Sequence, residues 1–96
     1  MDIGQTILRL RREKGIKQKD LAVRAGITPT YLSQIEKGVR IPRLDILEKI
    51  SSEFNLPFSI LSFLSLDINS IPDDKKVAYS QIKPLLDGFI EKIFLV

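Results

Sequence analysis

Glycine and proline residues divide this 96-residue chain into short segments and thereby limit the length of the helices that it can form. The breaks between the apolar segments fall at Gly15, Gly26, Gly38, Pro42 and Pro57. Between them, apolar residues recur at spacings of three or four, as at Ile3, Ile7 and Leu10, which predicts helices and not strands. The chain through Leu66 is therefore expected to form five short helices.

Two of these helices are predicted to meet across a tight turn. Gly26 is expected to end the second helix, because glycine readily adopts the positive φ that such a turn needs. Thr28 is placed to cap the third helix with its hydroxyl, and Pro29 suits the first helical position, where no backbone N–H is required. Asp2 is expected to cap the first helix in the same way.

The fourth and fifth helices are predicted from apolar residues at helical spacing. In the fourth, the expected buried face consists of Leu44, Leu47, Ile50 and Phe54. In the fifth, which begins at Pro57, the face consists of Phe58, Leu61 and Leu64. We therefore assign residues 1–67 to one all-α domain of five helices.

Residues 68–96 are predicted to form a C-terminal helical segment. Ser70 and Asp73 have the spacing of a capping box, the pattern that begins many helices. Pro84 is expected to kink the helix that follows or to break it in two, because proline cannot donate a backbone hydrogen bond.

The end of this segment is too apolar to lie bare on the surface of a monomer. We expect six of its residues to form the interface of a homodimer: Ile82, Leu85, Leu86, Phe89, Ile90 and Ile93. Two alternatives remain open. The segment can fold back and cover its own domain, or the dimer can form through the apolar residues of the fifth helix, which are Ile60, Phe63 and Leu66.

The composition excludes most catalytic and metal chemistry. The chain has no cysteine and no histidine, so it lacks thiol nucleophiles, imidazole bases, disulfides and the ligands that zinc prefers. We therefore expect no enzymatic activity, no metal ion and no cofactor. The sequence also lacks the pattern of a secretory signal and the roughly 20 apolar residues of a membrane span. A cytoplasmic protein without contact to a membrane is expected.

Positive charge is concentrated in one part of the chain. Between residues 9 and 43, ten basic residues stand against three acidic ones, whereas the whole chain carries a net charge of only +3. A concentrated basic block suits a polyanion, and nucleic acid is the commonest polyanion of this kind. The alternative is a basic surface that is simply solvated.

The segment from Gln18 to Ile35 resembles the helix-turn-helix of the lambda-repressor-like family, also called the XRE family. Ala22 stands where the crossing of the two helices requires a small residue, and Gly26 permits the turn between them. Four apolar residues stand where the two helices pack into the core: Leu21, Ile27, Leu32 and Ile35. The resemblance extends from about Ile3 to Leu66 and implies a five-helix domain that binds double-stranded DNA.

The resemblance also implies which residues contact the DNA. In this docking mode the third helix enters the major groove and the second helix crosses the phosphate backbone. The residues expected to contact bases are Thr30, Ser33 and Gln34. Gln34 is the strongest candidate, because its amide can form two hydrogen bonds with adenine. Phosphate contacts are expected from Arg11, Lys17, Gln18, Tyr31, Lys37, Arg40 and Arg43.

Four further positions bear on this resemblance. Arg11 and Glu36 stand where the family often forms an ion pair that presents the arginine to a phosphate. Lys17 departs from the family pattern, because the second helix usually begins with a hydroxyl or amide cap. Lys17 instead adds a cation beside the backbone amides of that helix. Pro29 also departs, since it has no N–H to offer a base.

These features predict a sequence-specific, dimeric transcriptional regulator that acts as a repressor on a palindromic operator. Half-sites about 34 Å apart on one face of the DNA require a two-fold dimer. An antitoxin or a restriction-modification controller that binds its own promoter is the first alternative, with a toxin or another protein antagonist as partner. A protein-interaction module that has lost DNA binding is the second.

Overall fold

The computed structural model describes residues 3–95, which form helices and turns without a strand. Five helices make up the N-terminal domain: α1 (Ile3–Glu13), α2 (Gln18–Ala25), α3 (Pro29–Glu36), α4 (Leu44–Glu53) and α5 (Phe58–Leu64). Two 3-10 turns, Ile68–Ser70 and Asp73–Lys75, lead to α6 (Lys76–Ile90), and a π-helical turn follows at Glu91–Leu95. None of these helices is long and apolar enough to cross a membrane. The predicted all-α fold is confirmed.

The turn between α2 and α3 forms as the sequence predicts. Gly26 adopts the left-handed conformation with a φ of 73°, and its N–H donates to carbonyl oxygens at the end of α2. Thr28 caps α3, since its hydroxyl oxygen accepts a 3.0 Å hydrogen bond from the Tyr31 backbone N–H. Pro29 begins the helix, as predicted. The cap predicted at Asp2 lies outside the described residues.

The five helices enclose one apolar core. α2 packs against α3 and α4, α1 packs against α3 and α5, and α4 packs against α5. The buried side chains of this core are Ile7, Leu10, Leu21, Ala22, Ala25, Leu32, Ile35, Ile46, Ile50, Phe54, Leu56 and Leu61. Ile27 is partly buried and packs against them. The angle between α2 and α3 is therefore fixed by the burial of apolar side chains from both helices.

The buried face of α4 differs from the predicted one. Leu44, the first residue of the helix, is 57% exposed, while Ile46 is buried together with Ile50 and Phe54. These three residues lie four positions apart, so the buried face is rotated relative to the predicted one. The prediction for Leu44 was wrong because the apolar spacing allows both faces, and contact with α2 and α5 decides between them.

The approach to α6 also differs from the prediction. Ser70 and Asp73 do not form a capping box, because α6 begins at Lys76 and no side chain caps it. Instead, the carboxylate of Asp67 accepts a 2.9 Å hydrogen bond from the Asn69 N–H. The Ser70 hydroxyl donates to the carbonyl oxygen of Asp67. The hydroxyl that was expected to start the helix is therefore used in the preceding turn.

Pro84 lies inside α6 without breaking it in two. A proline removes one N–H from a helix and leaves the carbonyl group four residues earlier without its usual partner. That earlier residue is Ser80, which is exposed, so solvent can reach it. Because α6 runs continuously from Lys76 to Ile90, a break into two helices is excluded, whereas the kink stays a prediction.

α6 lies beside the domain with most of its large apolar side chains facing outward. Lys83 lines a groove together with Arg9 of α1, and Phe94, just beyond α6, packs against the core. The outward side carries an apolar stripe, each member of which is at least 40% exposed: Ile82, Leu85, Leu86, Phe89 and Ile93. Ile90 is only 6% exposed. Its burial within the single chain removes it from the predicted dimer interface.

α1 and α3 are in contact at Gly4, where a side chain has no room. A Cβ atom at this position would overlap the backbone carbonyl oxygen of Ile35. A backbone atom inside a packed helix cannot rotate away as the end of a flexible side chain can. Gly4 therefore sets the distance at which α1 crosses the second half of α3.

We expect Gly4→Ala to lower the free energy of unfolding by about 3 kcal/mol, because one of the two helices must move. Gly88→Ala is the matched control in α6, where a Cβ would meet no neighbouring atom within 4 Å. The control should be neutral or stabilising by up to ~1 kcal/mol, since alanine favours a helix over glycine. Urea unfolding followed by circular dichroism measures both. Equal effects would contradict the close contact at Gly4.

Candidate nucleic-acid interface

α3 is held in the core by one side and presents a polar side to solvent. Leu32 and Ile35 are almost completely buried, which fixes the rotation of the helix about its axis. The predicted contact residues on the rest of its surface are exposed or half-buried: Thr30, Ser33, Gln34 and Lys37. The side chains selected from the sequence are therefore accessible to a ligand approaching α3.

Ser33 and Gln34 have polar groups available for an external partner. Within residues 3–95, neither the Ser33 hydroxyl nor the Gln34 amide takes part in a hydrogen bond. The backbone carbonyl oxygen of Gln34 accepts from the N–H groups of Val39 and Arg40, which ties the following loop to the end of α3. The Gln34 amide thus offers a donor and an acceptor side by side, as pairing with adenine requires.

A buried carboxylate at the end of α3 connects three helices. Glu36 is only 5% exposed. Its Oε2 accepts a 2.7 Å hydrogen bond from Arg11 Nε of α1, and its Oε1 accepts from Arg11 Nη2 at 3.2 Å. The same Oε1 accepts a 2.8 Å hydrogen bond from Gln18 Nε2 of α2. The predicted pair of Arg11 and Glu36 is confirmed, with the two-pronged geometry that arginine favours.

Arg11 and Gln18 keep only part of their hydrogen-bonding capacity for an external partner. Arg11 is 12% exposed and uses three of the five N–H bonds of its guanidinium group, one of them on the Ile16 carbonyl oxygen. Gln18 gives one amide N–H to Glu36. The link between Gln18 and Glu36 was missed in the sequence, because residues 18 positions apart meet only when α2 packs on α3.

The N-terminus of α2 carries cations but no side-chain cap. Lys17 precedes the helix in an extended conformation and makes no capping hydrogen bond, as its side chain predicts. Lys17 and Lys19 are exposed, and neither belongs to an ion pair within residues 3–95. The start of α2, where the backbone N–H groups lack helical partners, therefore carries two lysines without an ion pair in the described residues.

A second group of cations lines a groove between α3 and α4. This α3–α4 groove is bordered by Thr28, Tyr31, Arg40, Arg43, Asp45 and Lys49. The Arg40 guanidinium lies over the ring of Tyr31, 4.9 Å from its centroid. Arg43 forms an exposed ion pair with Asp45 at 3.3 Å. Three predicted phosphate contacts, Tyr31, Arg40 and Arg43, are therefore brought together in one groove.

Lys49 is a member of this groove that sequence reasoning missed. It lies in α4, beyond the basic block, and its Nζ reaches over the turn to within 3.7 Å of where a Cβ on Gly26 would be. Its position in the sequence could have indicated this, because it lies four residues after Asp45 and three after Ile46, and both of these line the same groove. In the described part of the chain, no cluster of carboxylates is arranged to hold a metal ion.

We expect Glu36→Gln to destabilise the domain by about 2–3 kcal/mol, because the largely buried Arg11 would lose its counter-charge. Asp45→Asn is the matched control. It removes the partner of Arg43, but that pair is exposed, so a change below about 0.5 kcal/mol is expected. Urea unfolding of both variants measures the difference. Similar losses would mean that burial does not strengthen the Glu36 network.

Comparison with known proteins agrees with this geometry. The family model described as helix-turn-helix matches residues 7–61, more than half of the chain. The HTH-type transcriptional regulator SinR of Bacillus subtilis (strain 168) is 43% identical over 51 residues, or 52% of this chain and 46% of SinR. The ImmF control region 10 kDa protein of Bacillus phage phi105 is 33% identical over 66 residues, or 69% of this chain and 73% of that protein. The chain thus matches less than half the length of SinR.

A solved structure shares the fold over most of the chain. The clp gene regulator ClgR from Corynebacterium glutamicum matches with a TM-score of 0.65, covering 94% of this chain and 87% of its own. Its sequence identity of 18% limits this likeness to the fold. The family model matches more than half of the chain, and the left-handed turn at Gly26 and the capped α3 that follows it agree with that match. The chain therefore belongs to the helix-turn-helix family of lambda-repressor-like, or XRE, type.

Proposed function

We propose that this protein binds double-stranded DNA and regulates transcription, with α3 inserted in the major groove. The observation that carries the proposal is the accessible polar side of α3, flanked by the cations of α2 and of the α3–α4 groove. The major groove of DNA admits one α-helix, and the cations meet the phosphates beside it. SinR is named as a transcriptional regulator, which supports the same role for this member of the family.

In this docking mode, three side chains of α3 contact the bases. Gln34 offers both halves of its amide to an adenine, and the short Ser33 hydroxyl serves as donor or acceptor. Thr30 brings a methyl group to the edge of the groove, where it suits the methyl group of thymine. Gln34 therefore sets most of the sequence preference.

The phosphate contacts are divided among three parts of the domain. Lys17 lies at the start of α2, Lys37 at the end of α3, and Arg40 and Arg43 border the α3–α4 groove. Such contacts position the protein on the duplex without reading its sequence. Arg11 and Gln18 mainly hold Glu36 in place through their hydrogen bonds to its carboxylate. Only their remaining N–H groups are left to contact a phosphate.

We also propose a homodimer formed through the apolar stripe of α6. Leu85 and Phe89, in the middle of the stripe, are 75% and 63% exposed in the single chain. Proteins rarely leave a contiguous apolar surface of this kind bare. A second copy suits it, because two-fold symmetry presents two α3 helices to half-sites about 34 Å apart. The alternative surface on α5 is less available, since Ile60 packs against the core.

Repression on a palindromic operator is the outcome that these parts support, since a dimer bound across a promoter blocks it by occupancy alone. An antitoxin or a controller protein would use the same contacts to DNA. In that case the apolar stripe would receive a toxin or an antagonist, and a partner protein would replace the second copy. A pure interaction module would have no use for the unpaired cations on both sides of α3.

We expect Gln34→Ala to weaken binding to the preferred site by about 1–3 kcal/mol while binding to random DNA stays nearly unchanged. Arg43→Ala should weaken binding to every sequence. It should also reduce the steepness of the plot of log K against the logarithm of the salt concentration by about one. Selection from a random pool supplies the site, and fluorescence anisotropy at several salt concentrations measures both effects. Equal losses on random DNA would contradict these roles, and salt-independent binding would contradict phosphate contact altogether.

We expect Leu85→Glu to convert the dimer to a monomer at micromolar concentration, because it buries a charge in an apolar interface. Ser80→Glu is the control, since Ser80 is exposed and lies about 140° round the helix from Leu85. Sedimentation equilibrium measures both variants. A Leu85→Glu protein that stays dimeric would remove the stripe from this role.

A further inference from the structure

Tyr31 and Arg40 form a stacked pair at the edge of α3. The guanidinium carbon of Arg40 is 4.9 Å from the centroid of the Tyr31 ring, within the range of a cation–π contact. The backbone N–H of Arg40 donates to the Gln34 carbonyl oxygen at 3.2 Å, so the loop carrying the arginine is tied to α3. Both ends of the Arg40 residue are thus held, the backbone by α3 and the side chain by the ring.

We infer that Tyr31 is a positioning residue for DNA binding, whose ring holds Arg40 over the α3–α4 groove to receive one backbone phosphate. This inference rests on the proposed function and assigns a mechanism to one of its contacts. Sequence reasoning placed Tyr31 among the phosphate contacts in its own right. In the stacked arrangement Arg40 contacts the phosphate. Tyr31 then acts through its aromatic face and not through its hydroxyl group.

The charges around the groove favour an anion beside Arg40. Arg40 belongs to no ion pair within residues 3–95, and the same holds for Lys49 across the groove. Arg43 is balanced by Asp45 at 3.3 Å. Two uncompensated cations therefore border the groove, and a phosphate between them would be attracted by both.

The stack leaves the donors of Arg40 usable. A guanidinium group is planar, and its N–H bonds point outward in that plane, so a ring below the plane does not block them. A free arginine side chain samples many rotamers, and fixing them opposes binding. The ring restricts these rotamers before the DNA arrives, which lowers the entropy lost when the phosphate contact forms.

Tyr31 is itself well held, as a positioning residue must be. Its backbone N–H donates to the Thr28 hydroxyl oxygen at 3.0 Å, inside the cap of α3. Its side chain is half-buried and packs against the apolar core. The core thus orients the ring, and the ring orients Arg40.

The test measures binding to a labelled random-sequence duplex of about 30 base pairs, long enough for two half-sites, by fluorescence anisotropy at low salt. A random sequence suffices because phosphate contacts do not depend on sequence. Tyr31→Leu should weaken binding about two- to fivefold, whereas Tyr31→Phe and Tyr31→Trp should bind like the unaltered protein. In an Arg40→Ala background, Tyr31→Leu should cause no further loss.

Two outcomes would overturn the inference. If Tyr31→Phe lost as much as Tyr31→Leu, the hydroxyl would be the contact. If Tyr31→Leu lost the same factor with and without Arg40, the ring would act through packing alone. A protein that bound no duplex at any salt concentration would instead contradict the proposed function, so the two failures are distinguishable.

A second measurement is independent of the leucine variant and of its folding. The chain has no tryptophan, so Tyr31→Trp introduces a single fluorescent reporter at the stack. Adding Arg40→Ala to this variant should shift its emission, because the cation over the indole ring is lost. The control is Arg43→Ala, because Arg43 lines the same groove but does not stack on the ring. An emission unchanged by Arg40→Ala would show that no stack exists in solution.

Discussion

The burial of one carboxylate, that of Glu36, is the constraint on which the proposed DNA-facing surface depends. It accepts hydrogen bonds from Arg11 of α1 and from Gln18 of α2, so a single buried charge ties two helices to the end of α3. A carboxylate in a protein interior is strongly unfavourable unless it is paired and hydrogen-bonded. The three helices must therefore keep one alignment for the network to be satisfied. Leu32 and Ile35 attach α3 to the apolar core. The hydrogen bonds of Glu36 to Arg11 and Gln18 fix where the end of α3 lies along α1 and α2.

The cations beside α3 are held in two different ways. At the start of α2, Lys17 and Lys19 are exposed and unpaired within the described residues, so their ammonium groups can adjust to a nearby phosphate. In the α3–α4 groove, Arg40 is held over the Tyr31 ring before any ligand arrives. A long flexible cation loses more rotamer freedom on binding than one that is already restrained. The proposed DNA surface thus combines an adjustable side with a preorganised one.

α6 links the proposed dimer to the helix-turn-helix domain. Ile90 is buried within the chain and Phe94 packs against the core, which attaches the end of the segment to the domain. The apolar stripe faces the other way and stays accessible. A helix fixed on one side and paired on the other would transmit the symmetry of the dimer to α3. The separation of the two α3 helices would then follow from how α6 sits on its own domain, and not from a flexible linker.

The sequence by itself determined the local structure: the turn at Gly26, the cap at Thr28, the helical periodicity and the polar side of α3. These features depend on backbone preferences and side chains within a few positions of one another, and such interactions are readable in order along a chain. Only the tertiary structure decided that Leu44 faces outward, that Lys49 reaches the groove and that Gln18 meets Glu36. An apolar spacing of three or four suits two adjacent faces of a helix equally, so the neighbouring helices select one. Groups 18 or 25 positions apart come together only when the helices that carry them pack.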